Sequence, residues 1–446
     1  MSRGFSLLAA AVITVSLIMT SCGSDQLNEA NGSNAEGNVY KDVKLTLRHT
    51  QIKESSQVRL RILQDVVAQT ESEYPGLKIE MEGIDEVVNR DQKLKAEMAA
   101  GNPPEIFEVF GGSDLKLYVK AGRMMELTPI IELLGLKDKF ASLDEFTVDG
   151  KIYGLPFGGY SEGFFYNKEI FAKLGLAVPA TWEELLKTAD TIRDNGIVPF
   201  GLAAKDAWVN GMLWNTIAER YVGIDAFYKL LTGETKWTDP GFIQSFEAYA
   251  ELVNRDYFTK GALGLPYAEQ GGQLLNGEAA MVFTGTWDAN RFVGSEAGGL
   301  DGKIGFFNFP SVPGGLGDQT SINASYSNGF GFSSKLSDDK KAMVIAFIHN
   351  FYTEKVQKRT LLEDKVLPSM RLSDLSGVDP LMSEVQRAMA NATSSWRAFD
   401  SIVQPTVGAD LGVGLQELIG KVKTPHEVAE HIQEKQEKAN LASREK

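Results

Sequence analysis

From Val43 the chain alternates apolar and polar residues, Val43-Lys44-Leu45-Thr46-Leu47-Arg48-His49, which predicts a half-buried strand. Over residues 55–73 the apolar positions Val58, Ile62 and Val66 step by about one helical turn, predicting a helix that Tyr74-Pro75-Gly76 ends. Leu77–Glu82 reads as a second strand. Asp85–Ala100 reads as a helix, closed by Gly101 and then Pro103-Pro104. Glu105–Phe110 is a third strand, running into Gly111-Gly112. Strand, helix, strand, helix, strand predicts an α/β fold with a parallel sheet covered by helices. In such sheets ligands sit beyond the carboxyl ends of the strands, which puts His49 and residues 110–113 near any site. Farther along, Thr181-Trp182-Glu183-Glu184 and Thr424-Pro425-His426-Glu427 are capping boxes, the second with proline at the first helical position. Both predict helix starts and say nothing of function.

Before Val43 the pattern is different. Arg3 is followed by an apolar run, Phe5 to Met19, with no charge until Asp25. A positive start and a short apolar core predict a secretory signal, and the run is marginal for the about 20 apolar residues a bilayer span needs. It ends Met19-Thr20-Ser21-Cys22-Gly23, which resembles a bacterial lipobox. Cys22 is the only cysteine in the chain. The expectation is a lipoprotein signal at residues 1–21 and a chain held to the membrane surface by lipid on Cys22. Residues 22–41, rich in Ser, Asn, Gly, Glu and Asp, bury too little apolar surface to order themselves and predict a flexible tether. With Cys22 lipidated, no thiol remains for disulfides, so the core alone must hold the fold.

Charge narrows the partners. The formal net charge is −14, and removing the signal takes away Arg3 and no acid, leaving −15. That argues against nucleic acid, whose affinity rests on neutralising phosphates. No phosphate loop or dinucleotide fingerprint occurs. The histidines, His49, His349, His426 and His431, are scattered, so neither a metal nor a cofactor is expected.

An ordered set of short segments carries a family likeness: Gly154-Leu155-Pro156, Phe164-Phe165-Tyr166-Asn167-Lys168, Leu174-Gly175-Leu176, Pro179, Thr181-Trp182-Glu183-Glu184-Leu185, Gly277-Glu278-Ala279-Ala280-Met281, Gly285-Thr286-Trp287, and Gly420-Lys421 before Thr424-Pro425. Over almost all of the chain after the tether this resembles the extracellular solute-binding proteins of sugar ABC importers, the group that includes maltose-binding protein. The resemblance implies a two-lobe periplasmic-binding-protein-like α/β fold with a hinge and an interlobe ligand cleft. The first lobe would be residues 42–154 plus 311–357, and the second 155–310 plus 358–446, with Asn308–Pro313 as the second crossing. It further implies a carbohydrate ligand, ABC permease subunits with a separate ATPase as partners, and a monomer. Hinge closure rather than catalysis would be the mechanism.

Sugar recognition needs aromatic faces for the ring C–H surfaces and fixed polar groups for the hydroxyls. Among the six tryptophans, Trp182 and Trp237 read as structural and Trp214 as packing. Trp287, at the turn after the strand-like Ala280–Phe283, matches the family's cleft aromatic; the alternative is a core tryptophan. Asp288 could accept sugar hydroxyls or cap a helix through Arg291. Trp208 and Trp396 are further cleft candidates by position. Tyr160 aligns with a ligand-contacting position that is acidic in the maltose-binding group, so Glu162 could serve there instead, or be a solvated loop charge. Gly112 would allow close backbone approach or simply form a turn. Asn328 faces the hinge by position, and His49 ends the first strand. Two readings compete with a sugar-binding protein. One is a surface glycoside hydrolase or lyase using paired carboxylates; the other is a binding protein for a non-sugar solute.

Overall fold

The computed structural model describes residues 42–444. The expected signal, Cys22 and the tether lie outside the described residues. Val43–His49 is a strand with its alternate side chains buried, and it pairs in parallel with Leu77–Gly83 and Ile106–Phe110. Asn328–Phe332 runs antiparallel to Ile106–Phe110, and Gly154–Pro156 closes the edge of this five-stranded sheet. Gln57–Glu73 is the helix expected between the first two strands. The second helix starts on the Asp85 carboxylate, which accepts from the Val87 and Val88 amides. It is interrupted by a widened, π-helical turn at Asn89–Lys93 before resuming as Leu94–Ala100 and ending on Gly101 at φ +75°.

A second sheet is built around the long strand Tyr160–Asn167. Ala279–Gly285, Ile304–Phe307 and Ile322–Ser325 pair with it antiparallel. Val198–Gly201 adds in parallel to Ala279–Gly285, and Ser395–Trp396 in parallel to Ile322–Ser325. Helices Trp182–Asp194, Ala207–Val222, Pro240–Asn254, Pro405–Ile419 and Pro425–Arg444 cover it. Both capping boxes form. Thr181 Oγ1 accepts from the Glu184 amide at 3.3 Å, and Glu184 reaches back to the Ala180 amide at 2.7 Å. Thr424 Oγ1 accepts from the Glu427 amide at 3.3 Å, and Glu427 accepts from the Thr424 amide itself at 2.7 Å, one residue nearer the helix than the Glu184 bond to Ala180. Trp214 and Trp237 lie fully buried in the helical core, with Trp214 stacked on Phe246 at 4.8 Å, and Trp182 packs 6.0 Å from Phe309.

The chain crosses between sheets at different places from those expected. Asn308–Pro313 does not leave the second lobe: Ser311 bridges to Thr181, and Ile322–Ser325 still pairs with Tyr160 and Ser161. The second crossing falls between Ser325 and Asn328, because a strand's lobe is set by the sheet that satisfies its backbone hydrogen bonds. The third crossing is also later than residue 357. Helix Glu354–Leu362 packs on Gln57–Glu73, Asp364 accepts from Arg59 at 2.7 Å, and Met370 bridges to Phe140. The chain rejoins the second lobe with helix Pro380–Asn391, whose Glu384 accepts from Lys168 and the Phe306 amide. The hinge strands are close-packed: a Cβ on Gly159 would lie 2.3 Å from the Tyr326 ring. Among the described residues no helix is long and apolar enough to cross a membrane.

Candidate functional site

Both sheets turn the same kind of edge toward each other. The parallel strands of the first end at His49, Gly83 and Phe110, and Asn328 starts its antiparallel strand beside Phe110. In the second, Gly285 and Ser325 end their strands beside Glu162 and Tyr160, where the long strand begins. The side chains at these edges form two groups.

The first group is aromatic. The Trp287 ring meets Tyr160 edge-on at 5.1 Å and lies 6.4 Å from Trp208. Trp208 opens helix Ala207–Val222 and, at 38% exposed, presents much of its indole to solvent. Tyr267 sits beneath, 4.6 Å from Trp208, and its hydroxyl accepts from Trp287 Nε1 at 2.6 Å. That hydroxyl in turn donates to Asp288 at 2.5 Å, and Thr284 adds a bond at 2.8 Å. Asp288 is buried and lies 3.9 Å from Arg291, so its carboxylate holds Tyr267, and through it the orientation of Trp287. Burial raises its pKa against the pull of Arg291.

The second group is carboxyl-rich. Glu162, 4% exposed, accepts from Asn323, and burial, reinforced by Asp400, raises its pKa well above the carboxylate range. Glu145 comes from the first lobe and accepts from Ser325 at the crossing. Burial pushes Glu145 up to about 7, with Asp400 adding to the effect and Arg397 opposing it. Glu145 Oε2 and Asn323 Oδ1 are buried without protein partners, as is Ser401 Oγ. Acceptors left unpaired in a buried place are costly, so this arrangement suits a group that brings donors. Tyr160 connects the two groups: its ring packs on Trp287, and its hydroxyl feels Glu145, Glu162 and Asp400.

The remaining candidates lie around this centre. Asn328 lines a cavity of about 30 Å³ with Thr50, Asn89, Arg90, Glu108 and Asp114, where Asn89 Oδ1 and Asp114 Oδ1 are also unpartnered. That volume has room for a water-sized group. Gly112 adopts φ +68°, and its amide donates to the Glu145 carbonyl at 2.7 Å. His49 is turned inward: its Nδ1 accepts from the Gln51 amide at 3.2 Å, its ring lies against Gly83, and burial lowers its pKa. Trp396 is 5% exposed on the edge strand of the second sheet, with Nε1 bonded to Ser321 Oγ at 3.1 Å. Tyr267, Glu145, Arg90, Glu108 and Asp400 join the site without having been singled out in the sequence. Only Glu108 had a signal, its place in the third strand three residues before Gly111-Gly112. Among the described residues no group of three or more His, Cys, Asp or Glu is arranged to hold a metal ion.

A solved chitin oligosaccharide binding protein is 40% identical, with a TM-score of 0.87 over 90% of this chain and 99% of that one. An uncharacterized ABC transporter extracellular-binding protein of Pyrococcus horikoshii is 27% identical over 260 residues, 56% of each chain. The multiple sugar-binding protein of Streptococcus mutans is 30% identical over 174 residues, 38% of this chain and 39% of that one. The chain thus spans about half the length, or less, of the curated relatives it matches. The two-lobe α/β architecture is that of periplasmic solute-binding proteins. Residues 54–358 match the profile of bacterial extracellular solute-binding proteins, and the chain belongs to that family.

Proposed function

We propose that this protein captures an oligosaccharide between its lobes and hands it, chemically unchanged, to the permease of an ABC importer driven by a separate ATPase. The observation that carries the proposal is the aromatic wall of Trp208, Trp287 and Tyr160 beside the unpaired buried acceptors of Glu145 and Asn323. Aromatic faces suit the apolar side of a sugar ring, and unpaired acceptors suit its hydroxyls and amides. The 40% identical structure is of a protein that binds chitin oligosaccharide, so oligomers of that kind are the first to offer. Trp287, Trp208, Tyr160 and Glu162 are the proposed ligand contacts. Asp288 holds Tyr267 and Trp287 in place. Lipid on Cys22 would keep the cleft beside its permease. The mechanism is closure: ligand bridging both lobes favours the closed state by its differential affinity.

The test is a carbohydrate panel read two ways, by melting shift and by product formation. A ligand at about 100 times its Kd adds about 2.7 kcal/mol of stability, which a melt detects. A shift without products supports capture. Turnover of a panel member at catalytic rates would overturn it in favour of a surface carbohydrate-active enzyme.

A further inference from the structure

The lobes touch across the cleft, and one contact is ionic. Arg90 stands on the π-helical turn Asn89–Lys93, an interruption of a kind that concentrates at functional positions. Its guanidinium lies 3.7 Å over the Phe110 ring, and Nε donates to Asp114 at 2.8 Å. Both partners belong to the first lobe, so the side chain is oriented before it meets anything else. Its Nη1 donates to Asp400 at 3.3 Å. Asp400 belongs to the second lobe: its turn, Phe399–Ser401, is fastened there by the Phe399 amide on Asn215 at 3.2 Å and the Phe399 ring 5.9 Å from Trp214. The same turn fits closely against the first lobe. Ser113 Oγ donates to the Asp400 carbonyl at 3.3 Å, and a Cβ on Gly112 would stand 2.5 Å from the Ser401 carbonyl oxygen. A second interlobe contact, Asn290 Nδ2 to the Ser55 carbonyl at 2.7 Å, is neutral.

We propose that Arg90 and Asp400 form an interlobe clasp that sets how long the cleft stays shut, with Arg90 as a positioning residue. The pair exists only when the lobes meet, so it stabilises the closed state alone and shifts the open–closed balance. Because Phe110 and Asp114 already hold the guanidinium, little side-chain freedom is lost on closing. The side chains are 25% and 31% exposed, so salt reaches the pair and screens it. The clasp is thereby strong enough to bias closure and weak enough to open. The inference rests on the capture reading only for what the cleft encloses.

The experiment compares the wild-type chain with Asp400→Asn, Arg90→Ala, the double variant and Arg90→Lys. Small-angle X-ray scattering of ligand-free protein at about 0.05 and about 0.5 M salt reads the open fraction. Each single loss should raise the open:closed ratio about three- to tenfold, with the double variant no more open than either single. Arg90→Lys should restore part of the closure, and high salt should open the wild type but not Asp400→Asn. With a chitin oligosaccharide as probe, koff should rise by the same factor while kon stays within about twofold. Equal scattering from wild type and Asp400→Asn at both salts would overturn the clasp, whatever binds. If scattering responds but no sugar in the panel binds, the clasp stands and the cargo reading falls.

Discussion

Replacing Trp287 by alanine separates the site's two roles, holding itself together and holding a ligand. The loss to the fold is bounded by what the indole touches. It makes an edge-on contact with Tyr160 at 5.1 Å, a looser one with Trp208 at 6.4 Å, and a bond to the Tyr267 hydroxyl at 2.6 Å. At roughly 1 kcal/mol for each interaction, the unliganded protein should lose about 2–3 kcal/mol. Tyr267 keeps Asp288 and Thr284, so no buried hydroxyl is orphaned and the chain should fold with its melting temperature a few degrees lower. The loss to binding is larger in proportion. A sugar face covering about 100 Å² of the ring, at about 25 cal/mol/Å², contributes about 2.5 kcal/mol, close to two orders of magnitude in Kd. Trp287→Phe keeps a ring face and loses the bond to Tyr267, so its Kd should rise only about fivefold. Calorimetric titration with the best ligand from the panel, beside thermal melts of each variant, measures both effects. A folded Trp287→Ala protein that binds within twofold of wild type would refute the placement of the cleft.

Three further expectations follow from particular contacts. Glu145 is pushed from an ordinary 4.5 to about 7 by burial, so the folded protein holds an extra proton between those values. Its contribution is therefore fully present below pH ~4.5 and lost as pH rises through about 7, a change of about 3 kcal/mol. Urea unfolding at pH 5 and pH 8 should show Glu145→Gln nearly matching wild type at the lower pH and exceeding it at the higher; a pH-independent difference contradicts the assignment. Arg220, fully buried, bonds Glu219 at 2.6 Å, Ser321 Oγ and carbonyl at 2.7 Å each, and the Phe309 carbonyl at 3.1 Å. Arg220→Ala strips buried Glu219 of its cation and the Phe309 carbonyl of this donor, while Ser321 keeps Trp396 and Asn308; it should cost about 3–5 kcal/mol in chemical denaturation, whereas a loss below about 1 kcal/mol would show the network to be dispensable. Cys22→Ala should move the protein from the membrane fraction to the soluble one with ligand Kd unchanged; continued membrane retention would contradict the lipid anchor.

What the sequence determined alone was local. The alternation in Val43–His49, the one-turn steps through Val58, Ile62 and Val66, and the two capping boxes rest on interactions within a few residues, and each element stands close to where it was expected. The strand order pointed to His49 and residues 110–113, and the family resemblance to Trp287, Trp208 and Tyr160, which the structure gathers into one aromatic group. Tertiary structure decided the rest. Ile322–Ser325 has no local signal for its lobe; it belongs to the second because Tyr160 and Ser161 take up its backbone bonds. Glu145 and Ser325 meet 180 residues apart, and Arg90 and Asp400 meet 310 residues apart. An isolated acid or arginine in a sequence looks like one more solvated charge among 59 acids and 45 bases. Only the folded chain shows which of them are dry, which lack partners and which stand across a cleft. Burial and opposition of charges arise from contacts between distant segments, and those contacts leave no period in the sequence.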